Sequence, residues 1–482
     1  LAGIAAEAGH LSPEELQKAR LPEVVLKSVR PVAAEPDKKQ AAYVEVKGVI
    51  GEHIRFELLL PEQWNGKFVM GGGGGFVGTV QNAARYTVNM GYATVGTDTG
   101  HQSAAGHMAE WALDDMEAKV NFGYLAVHRT AEVAKGLIRS FYGKEAERNY
   151  FVGCSRGGGQ AMMEAQRYPQ DFDGIVAGAP AFHWTGLGST MVAIAKALYP
   201  DPAHLDRNVL SNEALQKLQA GIMEQCDAED GLKDGIIQNP AMARFDLSKV
   251  QGLTEEQRKA IRAIYDGARN DKGAIYPGFA PVSECVPEQW IAWLTGPVQP
   301  MVEQNHAPDL SFAFGTQIYK YLIFNDASWD YSNYDFSNYD RDTRLAASYL
   351  NATNPNLDAF KARKGKLIIW HGWADPALPA QGTIDYYKAV LARDAQARDY
   401  CRLFLVPGCL HCGGGPGAAE VDWLRSILDW VEHGKAPDQV IASKKEAGKI
   451  VMSRPLFPYP AVAAYKGSGD GTKLEDFVRK QE

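Results

Sequence analysis

Near the start of the chain, two stretches alternate apolar and polar positions: AYVEVKGVI at 42–50 and HIRFELLL at 53–60. A period of two belongs to half-buried strands, and the short gap between them predicts an antiparallel pair. GKFVMGGGGG then reads as a short buried strand running into a glycine loop, and YATVGTDTG as a further strand. From Lys119 to Tyr142 apolar residues recur at helical spacing. NYFVG is a buried strand, QAMMEAQRYP a helix stopped by proline, and DGIVAGAP the next strand. Strands alternating with helices predict a mostly parallel sheet covered on both faces, an α/β architecture.

The rhythm breaks after Ala181. Residues 182–355 are rich in Trp, Tyr, Asp, Asn and Pro and carry few strand signals. The α/β pattern returns with KLIIWHGWAD and CRLFLVPG, each a strand ending at a loop, followed by the amphipathic helix VDWLRSILDWVEHG with its glycine stop. The expected organisation is one core, residues 1–181 and 356–482, interrupted by a lid-like insertion over 182–355. YKGSGDGT near the end reads as a surface loop.

The 482 residues are enough for a large core, and the formal charge of −8 argues against a nucleic-acid partner, which would call for a basic face. No apolar run reaches the roughly 20 residues of a membrane span. At Leu1 there is no charged-then-apolar leader, as expected of a mature product whose signal has been removed. Six cysteines are too few for a disulfide scaffold; Cys409 and Cys412 are the nearest pair, with His411 between them.

Candidate chemistry centres on FVGCSRGGGQ, residues 151–160. Gly153-Cys154-Ser155-Arg156-Gly157 fits G-x-S-x-G between a strand and a helix, the context of a nucleophile elbow that holds a serine hydroxyl above the sheet edge. The alternative is a glycine-rich turn that only packs a helix on the sheet. An activated serine needs a base, and the base needs an orienting carboxylate. Asp375 ends KLIIWHGWAD, and of eleven histidines His411 alone follows a late strand. His371, four residues before Asp375, is the rival base and reads as supporting or core; His101, in TDTGHQ, follows an earlier strand and could line the site or be structural. An oxyanion hole takes one N–H from Arg156 and one from the glycine run, where Gly73 and Gly74 are the candidates. A phosphate-binding loop is the rival reading of that run, which lacks a following Gly-Lys-Ser/Thr. If Ser155 and His411 meet, their neighbours Cys154 and Cys412 come within disulfide range.

GCSRGG, HGWADPALP and PGCLHCGGGPG, together with GGGGFVGT, EAQRYPQDFDGIVAGAPA, CDAEDGLKDG, LNATNPNLDAFKARKGKLI and RPLFPYPAVAAYKGSGD, resemble the tannase and feruloyl esterase family of α/β-hydrolases, which also includes terephthalate-monoester hydrolases. The resemblance runs over nearly the whole chain. It implies an α/β-hydrolase core with a large inserted lid domain, a Ser155–Asp375–His411 triad, and a Cys154–Cys412 disulfide beside it. It also implies a secreted or periplasmic location and a small aromatic ester as substrate. Ala243 and Phe457 stand where further cysteines are expected. Cys401 and Cys409 are too far apart along an extended segment to pair, whereas Cys226 and Cys285 both fall in the insertion and could.

Cys226–Ile236 places Asp227, Asp230 and Asp234 on one glycine-punctuated loop. By composition this is a solvated acidic turn. The resemblance implies a structural calcium (Ca2+) site there, with the carboxylates of Asp227, Asp230 and Asp234 and the carbonyls of Leu232 and Ile236 as ligands. Phe182, Trp184, Trp290, Trp293, Phe314, Tyr319 and Tyr321 are the candidate aromatic wall, some of them necessarily core.

The functional expectation is a serine esterase that cleaves feruloyl, galloyl or chlorogenate-type esters through an acyl-enzyme. A terephthalate-monoester hydrolase is the alternative within the family. A serine peptidase and a non-catalytic binding protein on the same fold are the alternatives outside it. Between Asp271 and Asp340 there is no arginine, and the only lysines are Lys272 and Lys320, so the expected preference is for neutral over carboxylate-bearing acyl groups.

Overall fold

The computed structural model describes residues 11–481 except 104, 282–283, 285, 300, 302 and 304–305. Nine strands form one sheet in the order β1-β2-β3-β5-β4-β6-β7-β10-β11. β1 (Val24–Val32), β2 (Tyr43–Ile50) and β3 (Ile54–Pro61) are antiparallel, and β3 pairs antiparallel with β5 (Ala93–Thr97). From β5 onward the pairing is parallel through β4 (Lys67–Gly71), β6 (Arg148–Cys154), β7 (Gly174–Gly178), β10 (Lys366–Gly372) and β11 (Cys401–Val406). The expected β2/β3 hairpin is present with Tyr43 opposite Pro61 and Ile50 opposite Ile54.

β1 was not expected. It carries Pro31 and is half exposed along its length, which weakens any alternation; as the edge strand it can tolerate a residue that donates no ladder bond. Near the C-terminus, β12 (Val440–Glu446) and β13 (Lys449–Leu456) form an unexpected hairpin whose turn residues Ala447 and Gly448 both have positive φ. β14 (Val462–Tyr465) pairs with β15 (Phe477–Lys480), and the glycine-rich stretch between them is largely exposed, as expected.

Helix α1 (Ala126–Tyr142) follows a π-helical turn, Asn121–Leu125, in which the continuous helix expected from Lys119 is widened. A side chain at Gly123 would lie 2.2 Å from the carbonyl oxygen of Tyr349, so the bulge sits where another backbone presses against the helix. Helix α2 (Arg156–Arg167) springs directly from β6. After β7 the chain leaves the sheet and enters α3 (Trp184–Leu198), α4 (Asn212–Cys226), α5 (Glu255–Asp266), the short β8/β9 hairpin (Ala268–Asn270 with Gly273–Tyr276) and α6 (Leu310–Gln317). These pack their own apolar cluster, including Leu187, Val192, Leu215, Ile261, Trp290 and Tyr319, and it extends onto Phe76, Phe122 and Leu378 of the sheet domain's loops. Two further clusters line the two faces of the sheet, under α1, α2 and α7 (Ala380–Arg393) on one and α8 (Trp423–His433) on the other.

The glycines around Ser155 are there because backbone meets backbone. A Cβ at Gly153 would sit 2.4 Å from the Gly157 carbonyl, one at Gly158 2.2 Å from the Gly178 oxygen, and one at Gly159 1.9 Å from the Ala181 oxygen. Gly159→Ala should therefore destabilise the fold by about 3 kcal/mol, because its obstacle is main chain that cannot swing away. Chemical denaturation against the parent protein measures this, and an unchanged midpoint would contradict it.

Candidate active site

Ser155 sits between β6 and α2 with φ 61° and ψ −124°, a left-handed conformation that costs a non-glycine residue energy and persists here because its surroundings over-determine it. Its N–H donates to the Gly178 carbonyl at 3.0 Å, and its own carbonyl accepts from Gly159 and Ala181 at 3.0 and 2.9 Å. The hydroxyl Oγ lies 2.9 Å from His411 Nε2, and His411 Nδ1 lies 2.8 Å from Asp375 Oδ2. Three residues from the ends of β6, β10 and β11 are thus connected in a line, as the spacing of the late strands implied.

The acid and base loops are tied together before any side chain is considered: Trp373 N–H donates to Val406 O, and Ala374 N–H to Cys409 O, each at 3.0 Å. Asp375 is 2% exposed. Burial pushes its carboxyl upward, yet His411 and His371 together hold it well below the usual carboxylate range. Its other oxygen, Oδ1, accepts the amides of Ala377 and Leu378 at 2.8 and 3.0 Å. His371 supports this carboxylate rather than replacing His411. Its Nε2 is 3.3 Å from Asp375 Oδ2 and 3.1 Å from Leu378 O, with Nδ1 2.8 Å from Thr383 Oγ1. His101 is structural: it stacks on Trp111 at 3.6 Å between ring centroids, bonds Phe76 O at 2.8 Å, and is pushed down to about 4 by burial.

The glycine run is placed one residue further along than expected. The amides of Gly73 and Gly74 already donate to Gln160 Oε1 at 3.2 Å and Gln81 Oε1 at 2.8 Å, so neither is aimed at the serine. Gly75 is the glycine that lines the cleft with Ser155. The signal that would have found this is the pair Gln160 and Gln81, the first buried and the second half-buried, whose amide oxygens need donors. The Arg156 N–H opens α2, where no intrahelical partner exists.

The cleft is narrow, about 50 Å³, and its lining is apolar apart from the reacting groups and Arg156: Leu187, Met191, Trp293, Phe314 and Ile318 face Ser155 and His411. Of the candidate aromatic wall, Trp184, Trp293 and Phe314 reach it, with Trp293 edge-on to His411 at 5.3 Å. Phe182 packs on Tyr386, Trp290 and Tyr319 are fully buried, and Tyr321 belongs to the insertion's apolar cluster.

Cys154 and Cys412 are bonded, with Cα atoms 5.9 Å apart across a separation of 258 residues. Cys226, Cys401 and Cys409 are buried free thiols, and Cys285, the partner expected for Cys226, lies outside the described residues.

In the acidic loop, Asp227 Oδ1 accepts Gly235 N–H, Asp230 accepts the amides of Leu232 and Gln238, and Asp234 Oδ1 accepts Ile236 N–H. The remaining oxygen of Asp234 is paired with the buried Arg454 guanidinium. Burial, and then Asp234, push the Asp230 carboxyl upward. The three carboxylates do not converge as closely as the His128 imidazole and the Glu164 and Asp171 carboxyls, whose ligand atoms lie within 4.8 Å of one another. In that second cluster Asp171 takes His128 Nδ1 at 2.6 Å and Lys135 Nζ at 3.2 Å, while burial, and then Asp171, push the Glu164 carboxyl well above its usual range.

An elbow serine, a histidine and an aspartate delivered by successive ends of a parallel sheet define an α/β-hydrolase with a serine-esterase site. The chain matches the family of tannase and feruloyl esterase over residues 42–480, and it belongs to that family. It is 32% identical to the mono(2-hydroxyethyl) terephthalate hydrolase of Piscinibacter sakaiensis, over 89% of this chain and 83% of that one. It is 30% identical to feruloyl esterase B of Aspergillus niger, over 87% and 82%. The solved structure of feruloyl esterase B from Aspergillus oryzae superposes with a TM-score of 0.83 at 25% identity, covering 96% of this chain and 98% of that one. Tannin acyl hydrolase from Aspergillus niger shares the fold, with a TM-score of 0.73 at 20% identity and coverage of 98% and 96%. The chain is a carboxylic-ester hydrolase of the serine type.

Replacing Cys154 and Cys412 together by alanine should cost about 2–4 kcal/mol, since the bond closes a very long loop, and should lower activity because the nucleophile and base loops lose their tie. Denaturation midpoint and turnover, measured on one preparation, check both; a variant as stable and as active as the parent would refute it.

Proposed function

We propose that Ser155 is the nucleophile, His411 the general base and acid, and Asp375 the group that orients and stabilises the imidazolium, acting on esters of aromatic acids. The carrying observation is the unbroken line Ser155 Oγ–His411 Nε2–His411 Nδ1–Asp375 Oδ2 at 2.9 and 2.8 Å beneath a narrow cleft walled by Trp184, Trp293 and Phe314. Ser155 Oγ attacks the ester carbonyl while its proton passes to His411 Nε2, and the carbonyl electron pair moves onto oxygen. The N–H groups of Arg156 and Gly75 are the donors for that oxyanion. The intermediate collapses by breaking the bond to the alcohol, which takes the proton from His411. Water repeats the sequence on the acyl-enzyme and releases the acid.

The acid side of the substrate is a single flat ring. Trp184, Trp293 and Phe314 offer aromatic contact to such a ring, and the rest of the wall is mostly aliphatic. The insertion that supplies Trp184, Trp293 and Phe314 acts as the lid that selects it. Among the described residues no carboxylate or free cationic group lines the cleft beyond Arg156, so neutral phenolic esters are preferred to monoesters of aromatic dicarboxylic acids.

The loop from Asp227 to Ile236 fits an oxygen-ligated divalent cation. Its donors are all hard oxygens, its turns run through Gly231 and Gly235 at positive φ, and its aspartates crowd one another. Asp227, Asp230 and Asp234 with the carbonyls of Leu232 and Ile236 would hold calcium, which supplies structural support and no chemistry. Arg454 is the competing charge on Asp234. A disulfide that persists at the active site suits an oxidising compartment, outside the cytosol or in the periplasm.

Ser155→Ala, His411→Ala and Asp375→Asn should each lower turnover at least a thousandfold, because the three act as a unit. Near-normal turnover by the serine variant would remove the mechanism. Hydrolysis of feruloyl, galloyl, chlorogenate-type and terephthaloyl esters, compared by kcat/KM, tests the acyl preference; a clearly higher value on the terephthalate monoester would overturn it. Added calcium should raise the Tm of chelator-treated protein and leave Asp230→Ala unmoved. If the parent's melting curve ignores calcium, Arg454 alone satisfies the loop.

A further inference from the structure

Arg156 is 1% exposed and stands at the first position of α2, immediately after Ser155. Three features of its surroundings are unfavourable to a cation. Among the described residues no carboxylate pairs with it: its Nη2 donates to the main-chain oxygens of Phe122 and Gly123, while Nε and Nη1 have no hydrogen-bond partner. It occupies the positive end of a helix dipole, where anions and not cations are stabilised. Its neighbours are otherwise aromatic, with the guanidinium carbon 4.3 Å from the Phe122 ring centroid and 5.4 Å from that of Trp184. Burial pulls the group down to about 9, and burial likewise pulls His101, which feels the Arg156 charge, down to about 4.

An unpaired buried charge normally costs several kcal/mol, and folds either pair it or replace it. Here the π-helical turn is shaped to receive it: the widened stretch Asn121–Leu125 presents two consecutive carbonyls to one guanidinium nitrogen. The missing negative charge has an evident source. Trp184, over which the guanidinium lies, walls the same cleft as Ser155, and Arg156's own N–H is one of the two oxyanion donors proposed above. Each unfavourable feature changes sign at that moment. The cation gains a counter-charge, the helix end gains an anion, and the low-dielectric aromatic surroundings strengthen the attraction between them.

We propose that the Arg156 side chain is a positioning residue for the esterase reaction: a fixed positive charge, buried against Phe122 and Trp184 at the edge of the cleft, that is compensated only by the tetrahedral oxyanion. It touches no substrate atom and acts through the field it sets at the oxyanion site. Its role is separate from that of its backbone N–H, which any residue would supply. The proposal rests on Ser155 being the nucleophile.

The test compares Arg156→Met and Arg156→Gln with the parent on one neutral and one carboxylate-bearing aromatic ester, and times covalent labelling of Ser155 by an aryl phosphonate. Met keeps length without polarity; Gln keeps a donor for the Phe122 carbonyl without charge. Both should lose roughly ten- to a hundredfold in kcat, somewhat less than the loss of a direct oxyanion donor, with KM within about twofold and the same loss on both esters. Phosphonate labelling should slow in parallel, since it too passes through an anionic centre. Recovery of parent kcat by Gln would overturn the proposal in favour of a hydrogen-bonding role. A KM increase confined to the carboxylate-bearing ester would overturn it in favour of a substrate anchor. A loss of activity that follows the melting curve, with parent kcat regained on cooling, would reduce Arg156 to packing. Labelling of parent Ser155 with no activity in Ser155→Ala upholds the nucleophile independently; an active Ser155→Ala would remove the reading on which the proposal depends.

Discussion

The site depends on main chain touching main chain at Gly157. A Cβ on Gly72 would come within 2.6 Å of the Gly157 Cα, and one on Gly153 within 2.4 Å of its carbonyl. The loop after β4, the end of β6 and the first turn of α2 are therefore seated against one another without intervening side chains. That contact brings the helix N-terminus, the serine and the glycine loop into one small volume, and the positive φ of Ser155 is the cost of making the turn inside it. Gln160 and Gln81 then hold Gly73 and Gly74, which leaves the loop rigid and turns Gly75 to the cleft.

Electrostatics is distributed unevenly across the site. On the acid side everything is paired: Asp375 takes two amides and two imidazoles, and the base it orients is fixed by a second histidine's support of the same carboxylate. On the elbow side a cation is left without an acid among the described residues. A saturated network resists change of charge, whereas an unbalanced one responds to it. The two halves thus suit different tasks, holding geometry through proton transfer and meeting a charge that exists only in passing.

Much of the architecture could be read in the chain. Alternation at 42–60, the glycine-flanked serine and the late strands ending at Asp375 and before His411 located the sheet, the elbow and the two partners. What escaped had weaker local signals. β1 is an edge strand broken by Pro31, and the C-terminal hairpin carries Lys444, Lys445 and Glu446 where a strand pattern wants apolar residues. The choice among five consecutive glycines is decided by two glutamines, one of which, Gln160, is brought near only by tertiary contact. The Arg156 side chain was passed over because the motif gives that position a backbone role, and its isolation from acids is a property of three-dimensional neighbours. The acidic loop was visible, but its bond to Arg454 joins residues 220 positions apart.

The Cys154–Cys412 bond also has a topological meaning. Together with the main chain it closes a covalent ring containing β7, the whole insertion, β10 and β11. Within that ring the polypeptide has no free end, so a single cut in any loop of the insertion opens the ring without parting the molecule. Both sides of the cut remain bonded beside the serine and the histidine. The insertion can then be nicked, lengthened or exchanged between relatives while the two loops that do the chemistry stay tethered.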